Sequence, residues 1–112
     1  MLYEIRDYHY RRDLFDAYKQ WAEEAVPVLR RDLPVVGFWV DEGLDPELTG
    51  SDPAESRHGA ANVTWVLRWE SKEERDRVMK RAIGSDAWQD VWSRHPDPDG
   101  YLQMSARFMR EI

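Results

Sequence analysis

Tyr8-His9-Tyr10 places two phenols on either side of an imidazole. An imidazole takes or gives a proton near neutral pH, and a neighbouring phenol can hold a substrate oxygen or orient the ring. His9 is therefore the candidate general base, with Tyr8 or Tyr10 as its partner. The competing reading is a solvated histidine between two tyrosines that pack the rim of the core. No Ser or carboxylate is spaced so as to complete a triad with His9. A second set is aromatic: Trp39, Trp65, Trp69, Trp88 and Trp92 are candidate walls of a ligand cleft, each bringing an indole N–H that needs a partner when buried. Core packing is the alternative, and Trp88 and Trp92, one helical turn apart, are the pair most suited to one contact surface. Glu4, Arg6, Arg68 and Arg107 are charges within otherwise apolar strands. Buried charges need partners, so Glu4 is expected to meet Arg68 or Arg107 in a layer between two sheets and fix the register of a dimer, with a ligand-binding arginine as the other reading.

Metal chemistry finds little support. There is no Cys, and His9, His58 and His95 lie far apart with no ligand at helical i, i+4 spacing. Arg57-His58-Gly59 sits in a long acidic segment, where it could fold over a bound molecule as a lid or be a simple surface insertion.

These residues depend on the elements that carry them. Leu2 to Tyr8 alternates at strand period, with Leu2, Glu4, Arg6 and Tyr8 on one side. From Arg12 to about Arg31 the apolar residues recur every three or four positions, the stripe of an amphipathic helix, and Pro27 is expected to kink or nearly end it. Val35 to Val40 is apolar on both sides and predicts a strand buried on both faces. Residues 41–61 show neither period and predict a loop, far longer than the usual ~4 to 6 residues. Asn62 to Trp69 alternates again as a third strand. Ser71 with Glu74 three residues on is a capping box that starts a second helix, broken at Gly84 and recapped by Ser85 or Asp86. His95 to Gly100 is a turn, and Tyr101 to Arg110 is the fourth strand.

Length and composition set the bounds. The 112 residues have room for one domain. A net charge of -6, with 16 Lys and Arg scattered among 22 Asp and Glu, argues against nucleic acid. No apolar run reaches the ~18 residues of a membrane helix and the first residues lack the apolar core of a secretory signal, so a cytoplasmic location is expected. Six Trp, five Tyr and three Phe supply ample apolar area to bury despite 34% charged residues.

The order β-α-β, loop, β-α-β predicts an α+β, ferredoxin-like βαββαβ fold with two helical segments on one face of a four-stranded antiparallel sheet. Apolar residues on the opposite face call for a cover, and the same face of a second copy is the simplest one. A homodimer is the expected partner.

Tyr3-Glu4-Ile5-Arg6-Asp7-Tyr8, the helix with Trp21 and Pro27, Val36-Gly37-Phe38-Trp39, Asn62 with Trp65 to Ser71, and Asp86-Ala87-Trp88 before the last strand together resemble the NIPSNAP family of dimeric α/β-barrel proteins. The likeness spans nearly the whole chain, although the segment between the second and third strands is longer than the family pattern. What the resemblance implies is a ferredoxin-like subunit closing into a dimeric α/β barrel. It also implies kinship with cofactor-independent monooxygenases, haem-degrading enzymes, and dehalogenating or isomerising relatives, and a small-molecule cleft between helices and sheet. A haem-degrading relative would need an Asn late on strand one, a Trp on strand three and a His in helix two. Asp7 stands near the first position and His95 falls after the helix, so no haem and no other cofactor is expected. The functional expectation is binding of a small aromatic or lipophilic molecule, with cofactor-free oxygenation or proton transfer as its catalytic form. A noncatalytic dimeric scaffold, its cleft filled by its own Trp side chains, is the alternative.

Overall fold

A computed structural model describes all 112 residues. Its elements are β1 (Leu2–Tyr10), α1 (Phe15–Asp32), β2 (Val35–Val40), β3 (Val63–Trp69), α2 (Lys72–Ile83), α3 (Asp86–Trp92) and β4 (Tyr101–Met109). The sheet runs β2-β3-β1-β4 with every neighbouring pair antiparallel, the βαββαβ ferredoxin-like order. The sheet is open, and the helices cover one face of it. Glu4, Tyr8 and Tyr10 of β1 are buried on that face with Val63, Trp65, Leu67 and Trp69 of β3. The apolar members of this set join α1's Tyr18, Trp21, Ala22 and Ala25 and the later helices' Met79, Ala82 and Val91 in one core.

The local signals account for most boundaries. Ser71 Oγ accepts the Glu74 backbone N–H at 3.1 Å, and the Glu74 carboxylate reaches back to accept the Glu70 N–H at 2.6 Å. The chain breaks after Ile83, and Ser85 Oγ recaps it by accepting the Trp88 N–H at 3.2 Å, so α3 leaves on its own axis. Pro27 behaves differently from expectation, since α1 continues through it to Asp32. Pro27 and Glu23 both sit on the exposed face of α1, so the carbonyl that loses its N–H partner faces water.

Strand β2 also departs from expectation. It is not buried on both faces: it is an edge strand, and Val36 and Trp39 remain 52% and 54% exposed on the side the helices leave uncovered. Between Val40 and Val63 the chain forms no helix or strand. Its two ends are tied together where Asp41 N–H donates to the Asn62 carbonyl at 2.9 Å. The Asn62 side-chain amide bonds both the N–H and the carbonyl of Tyr10 at 2.9 Å.

Gly100 marks one of the tightest contacts. A Cβ placed there would lie 2.7 Å from Cζ of Tyr10, whose ring is 1% exposed and whose hydroxyl donates to the Asp97 carbonyl at 2.9 Å. The ring cannot swing away without losing that bond. Gly100→Ala is expected to cost about 1–3 kcal/mol, read as a lower urea midpoint with unchanged slope.

Candidate functional site

A cavity of about 390 Å³ lies between the helices and the inner face of the sheet. Strand period two brings Arg6 and Tyr8 of β1 to its floor, and β3 sets Trp65 directly opposite Arg6 in register. Phe38 of β2, with Tyr101 and Met104 of β4, completes the floor. The roof is helical: Trp21, Val26 and Leu29 from the stripe of α1, Met79 and Ile83 from α2, and Trp88 and Trp92 one turn apart on α3. The three roof indoles pack with ring centroids 5.8–6.0 Å apart. The Trp21 N–H is spent on the Val91 carbonyl at 2.8 Å.

Beside the cavity floor is a buried ion cluster. Glu4 is 0% exposed and lies under two guanidinium groups. Arg75 grips it with two bonds, Nε to Oε1 at 3.0 Å and Nη2 to Oε2 at 2.7 Å. Arg6 Nη1 adds a third at 2.7 Å, and the Trp69 indole a fourth at 3.0 Å. Burial alone would push the Glu4 carboxyl upward, but Arg75, Arg6 and Trp69 outweigh it and hold the group below the usual carboxylate range. Arg75 Nη1 also pairs with Asp76 at 3.1 Å, so two carboxylates face the two guanidinium groups. Arg6 also donates from Nε to the Tyr8 hydroxyl at 2.8 Å, and its guanidinium lies 5.4 Å from the Trp65 ring centroid.

The other polar end of the floor is a chain of oriented donors. The Asp97 N–H donates to His95 Nδ1 at 3.0 Å, which leaves the proton on Nε2, and Nε2 meets the Tyr101 hydroxyl at 2.8 Å. Tyr101 thus accepts from His95, so its own hydroxyl proton points elsewhere. Burial pushes the phenols of Tyr18 and Tyr101 up, and they stay protonated donors. The same burial drives His95 down from 6.5 to about 4, against the pull of the Asp97 carboxylate, so its ring is neutral.

Of the aromatic residues singled out in the sequence, Trp65, Trp88 and Trp92 line the cavity. Trp39 lies on the opposite face of the sheet, and Trp69 is spent on Glu4. The Tyr8-His9-Tyr10 cluster is divided, because alternation along β1 turns Tyr8 and Tyr10 to the helix side and His9 to the other. His9 does not reach the cavity; it pairs across the sheet with Gln103, and its ring lies 6.3 Å from that of His58. Arg57 and His58 accordingly approach the far side of the sheet, not the cavity mouth, with Arg57 Nε donating to His58 Nε2 at 3.3 Å. Neither Arg68 nor Arg107 meets Glu4. Both lie on the uncovered face, where Arg107 pairs with Asp7 at 3.2 Å and Arg68 is exposed. The partner of Glu4 that sequence reasoning missed is Arg75, whose sole signal was its place one turn into α2 above β1. Trp21, Tyr18 and Tyr101 were also missed as lining residues, since their spacing reads equally well as core. No group of three or more His, Cys, Asp or Glu is placed to hold a metal ion.

No family model and no curated protein matches the sequence. Solved structures do match its shape. A NIPSNAP family protein with unknown function from Agrobacterium tumefaciens superposes with a TM-score of 0.71 at 18% identity, over 97% of this chain and 86% of its own. The fold is that of the NIPSNAP proteins. A second NIPSNAP domain protein, from Burkholderia xenovorans, gives a TM-score of 0.71 at 14% identity, over 100% of this chain and 95% of that one. Beyond them stands an antibiotic biosynthesis monooxygenase at 0.58 and 10% identity, over 100% and 99% of the two chains. The long connection between β2 and β3 joins the adjacent ends of two neighbouring antiparallel strands, where the Asp41–Asn62 bond ties its base. No helix is long and apolar enough to cross a membrane.

Proposed function

We propose that this chain is a NIPSNAP-type protein whose cavity binds a small, largely apolar and partly aromatic molecule. The observation that carries the reading is the open space itself: about 390 Å³ walled by Trp21, Trp88 and Trp92, where a scaffold protein would have filled the gap with these same side chains. Binding is better supported than proton abstraction, because the cavity lining carries no carboxylate and no imidazole, and His9 points away from it. Trp emission should be quenched by some members of a panel of one- and two-ring aromatic compounds and oxygenated lipids; a panel without effect would overturn the proposal.

The same reading includes a homodimer formed through the uncovered face of the sheet. Val36, Trp39 and Met109 stand exposed there beside Ile5 and Val66, while Asp7 is already paired with Arg107 and with Thr64 Oγ1 at 2.7 Å. Sedimentation at micromolar concentration should give about twice the 13.3 kDa of one chain, and Trp39→Glu should shift it to one. A lone chain in the unaltered protein would remove the dimer and leave the cavity standing.

A further inference from the structure

The geometry points to an anionic ligand: the cavity takes an aromatic weak acid, its carboxylate or phenolate oxygen seated on the sheet floor between Arg6 and Trp65 and its rings under the Trp21, Trp88 and Trp92 roof. This rests on the binding function proposed above and adds the charge of the ligand. Two features of the floor together favour a charged oxygen.

The first is an orphaned donor. The Trp65 side chain is 4% exposed and lines the cavity, yet its buried Nε1–H has no acceptor anywhere in the protein. Buried donors are satisfied in folded proteins with few exceptions, so an acceptor from outside the chain is the natural complement. The second is Arg6. Its Nε is committed to Tyr8 and its Nη1 to Glu4, but Nη2 makes no hydrogen bond within the protein. A guanidinium with a free edge favours a charged oxygen over a neutral one.

The floor thus presents an unpaired indole N–H and a guanidinium edge, and its one charged lining residue is a cation. A cationic or donor-rich ligand would find no carboxylate among the lining residues, since Glu4 is outside the lining and already held by Arg6, Arg75 and Trp69. A neutral hydrocarbon would leave the Trp65 N–H unpaired. An acid with a flat apolar body satisfies both surfaces of the cavity at once.

Isothermal titration calorimetry at pH 7.5 with 2-naphthoate and its neutral counterpart 2-naphthamide tests the inference on the unaltered protein. The carboxylate should bind at least about tenfold more tightly than the amide. Arg6→Gln should erase most of that preference, weakening naphthoate about tenfold more than naphthamide. Because Arg6 also holds Glu4, Trp65→Phe serves as a second variant that keeps an aromatic side chain on the floor but lacks the N–H and the second ring; it should weaken naphthoate more than naphthamide. Equal affinities for the two probes would overturn the anion assignment and leave the binding function intact. Failure of both probes to bind would overturn both. A preference unchanged in folded Arg6→Gln would remove Arg6 from the site.

Discussion

Glu4→Ala is expected to lower the unfolding free energy by about 3–5 kcal/mol, enough to consume much of the 5–15 kcal/mol that holds a small domain together. The carboxylate sits fully out of water and takes four hydrogen bonds, three of them from two guanidinium groups. Removing it takes away the carboxylate that Arg6 and Arg75 share, leaving Arg75 with Asp76 and Arg6 with only the Tyr8 hydroxyl. The two arginine side chains keep 19% and 20% of their exposure, so water relieves part of the penalty and the lower end of the range is expected. Arg75→Met should cost less, because Arg6 and Trp69 still hold the carboxylate. Urea unfolding of the two variants at pH 7 decides it: a larger loss in Arg75→Met than in Glu4→Ala would mean that the cluster is organised around the arginine. The acid behaviour has a fixed sign. Glu4 is held below its ordinary value of 4.5 in the folded chain, so its contribution is complete above that value and is lost as the pH falls through the lowered native one.

The fold was legible in the sequence because its signals are local. Alternation in β1, β3 and β4, the stripe of α1 and the two serine caps at Ser71 and Ser85 each report on a few neighbouring residues, and each is reproduced in space. The site was only partly legible, because it is made of relations across the sheet. Trp65 could be assigned to a cleft from its strand, yet Arg6 stands opposite it only through the β1–β3 register, which no single segment contains. The same limit explains His9. Its chemistry is attractive beside two tyrosines in sequence, but a strand sends adjacent residues to opposite faces, so adjacency there is evidence against a shared site. Glu4 shows the converse: its need for a positive partner was evident, while the partner's identity was set by where α2 crosses β1. β2 was misread for a further reason. An apolar run on both faces signals what the strand must eventually bury, and in one chain the helices cover a single side.

The largest pH effect is expected from His95, and it should appear well above the acid range of Glu4. The ring is 9% exposed, with centroids 4.3 Å from Trp21 and 4.5 Å from Trp92, and both of its nitrogens are committed. Protonation would place a new Nδ1–H against the Asp97 N–H that this nitrogen now accepts, donor against donor. Above pH 6.5 the ring is neutral folded or unfolded, so it contributes no slope. Between 6.5 and about 4 the unfolded chain takes the proton while the native one refuses it, so stability falls as the pH falls. The span corresponds to about 3 kcal/mol at full development. His95→Gln can still accept from Asp97 and donate to Tyr101, but it does not titrate; it should be less stable at pH 7.5 and nearly flat down to pH 5. Denaturant midpoints measured for both proteins from pH 7.5 to 4.5 separate the cases, and equal slopes would show that His95 is not the titrating group. Because His95 also fixes the direction of the Tyr101 hydroxyl, the same acidification should loosen one end of the cavity floor before the domain unfolds, so ligand affinity would decline ahead of global stability.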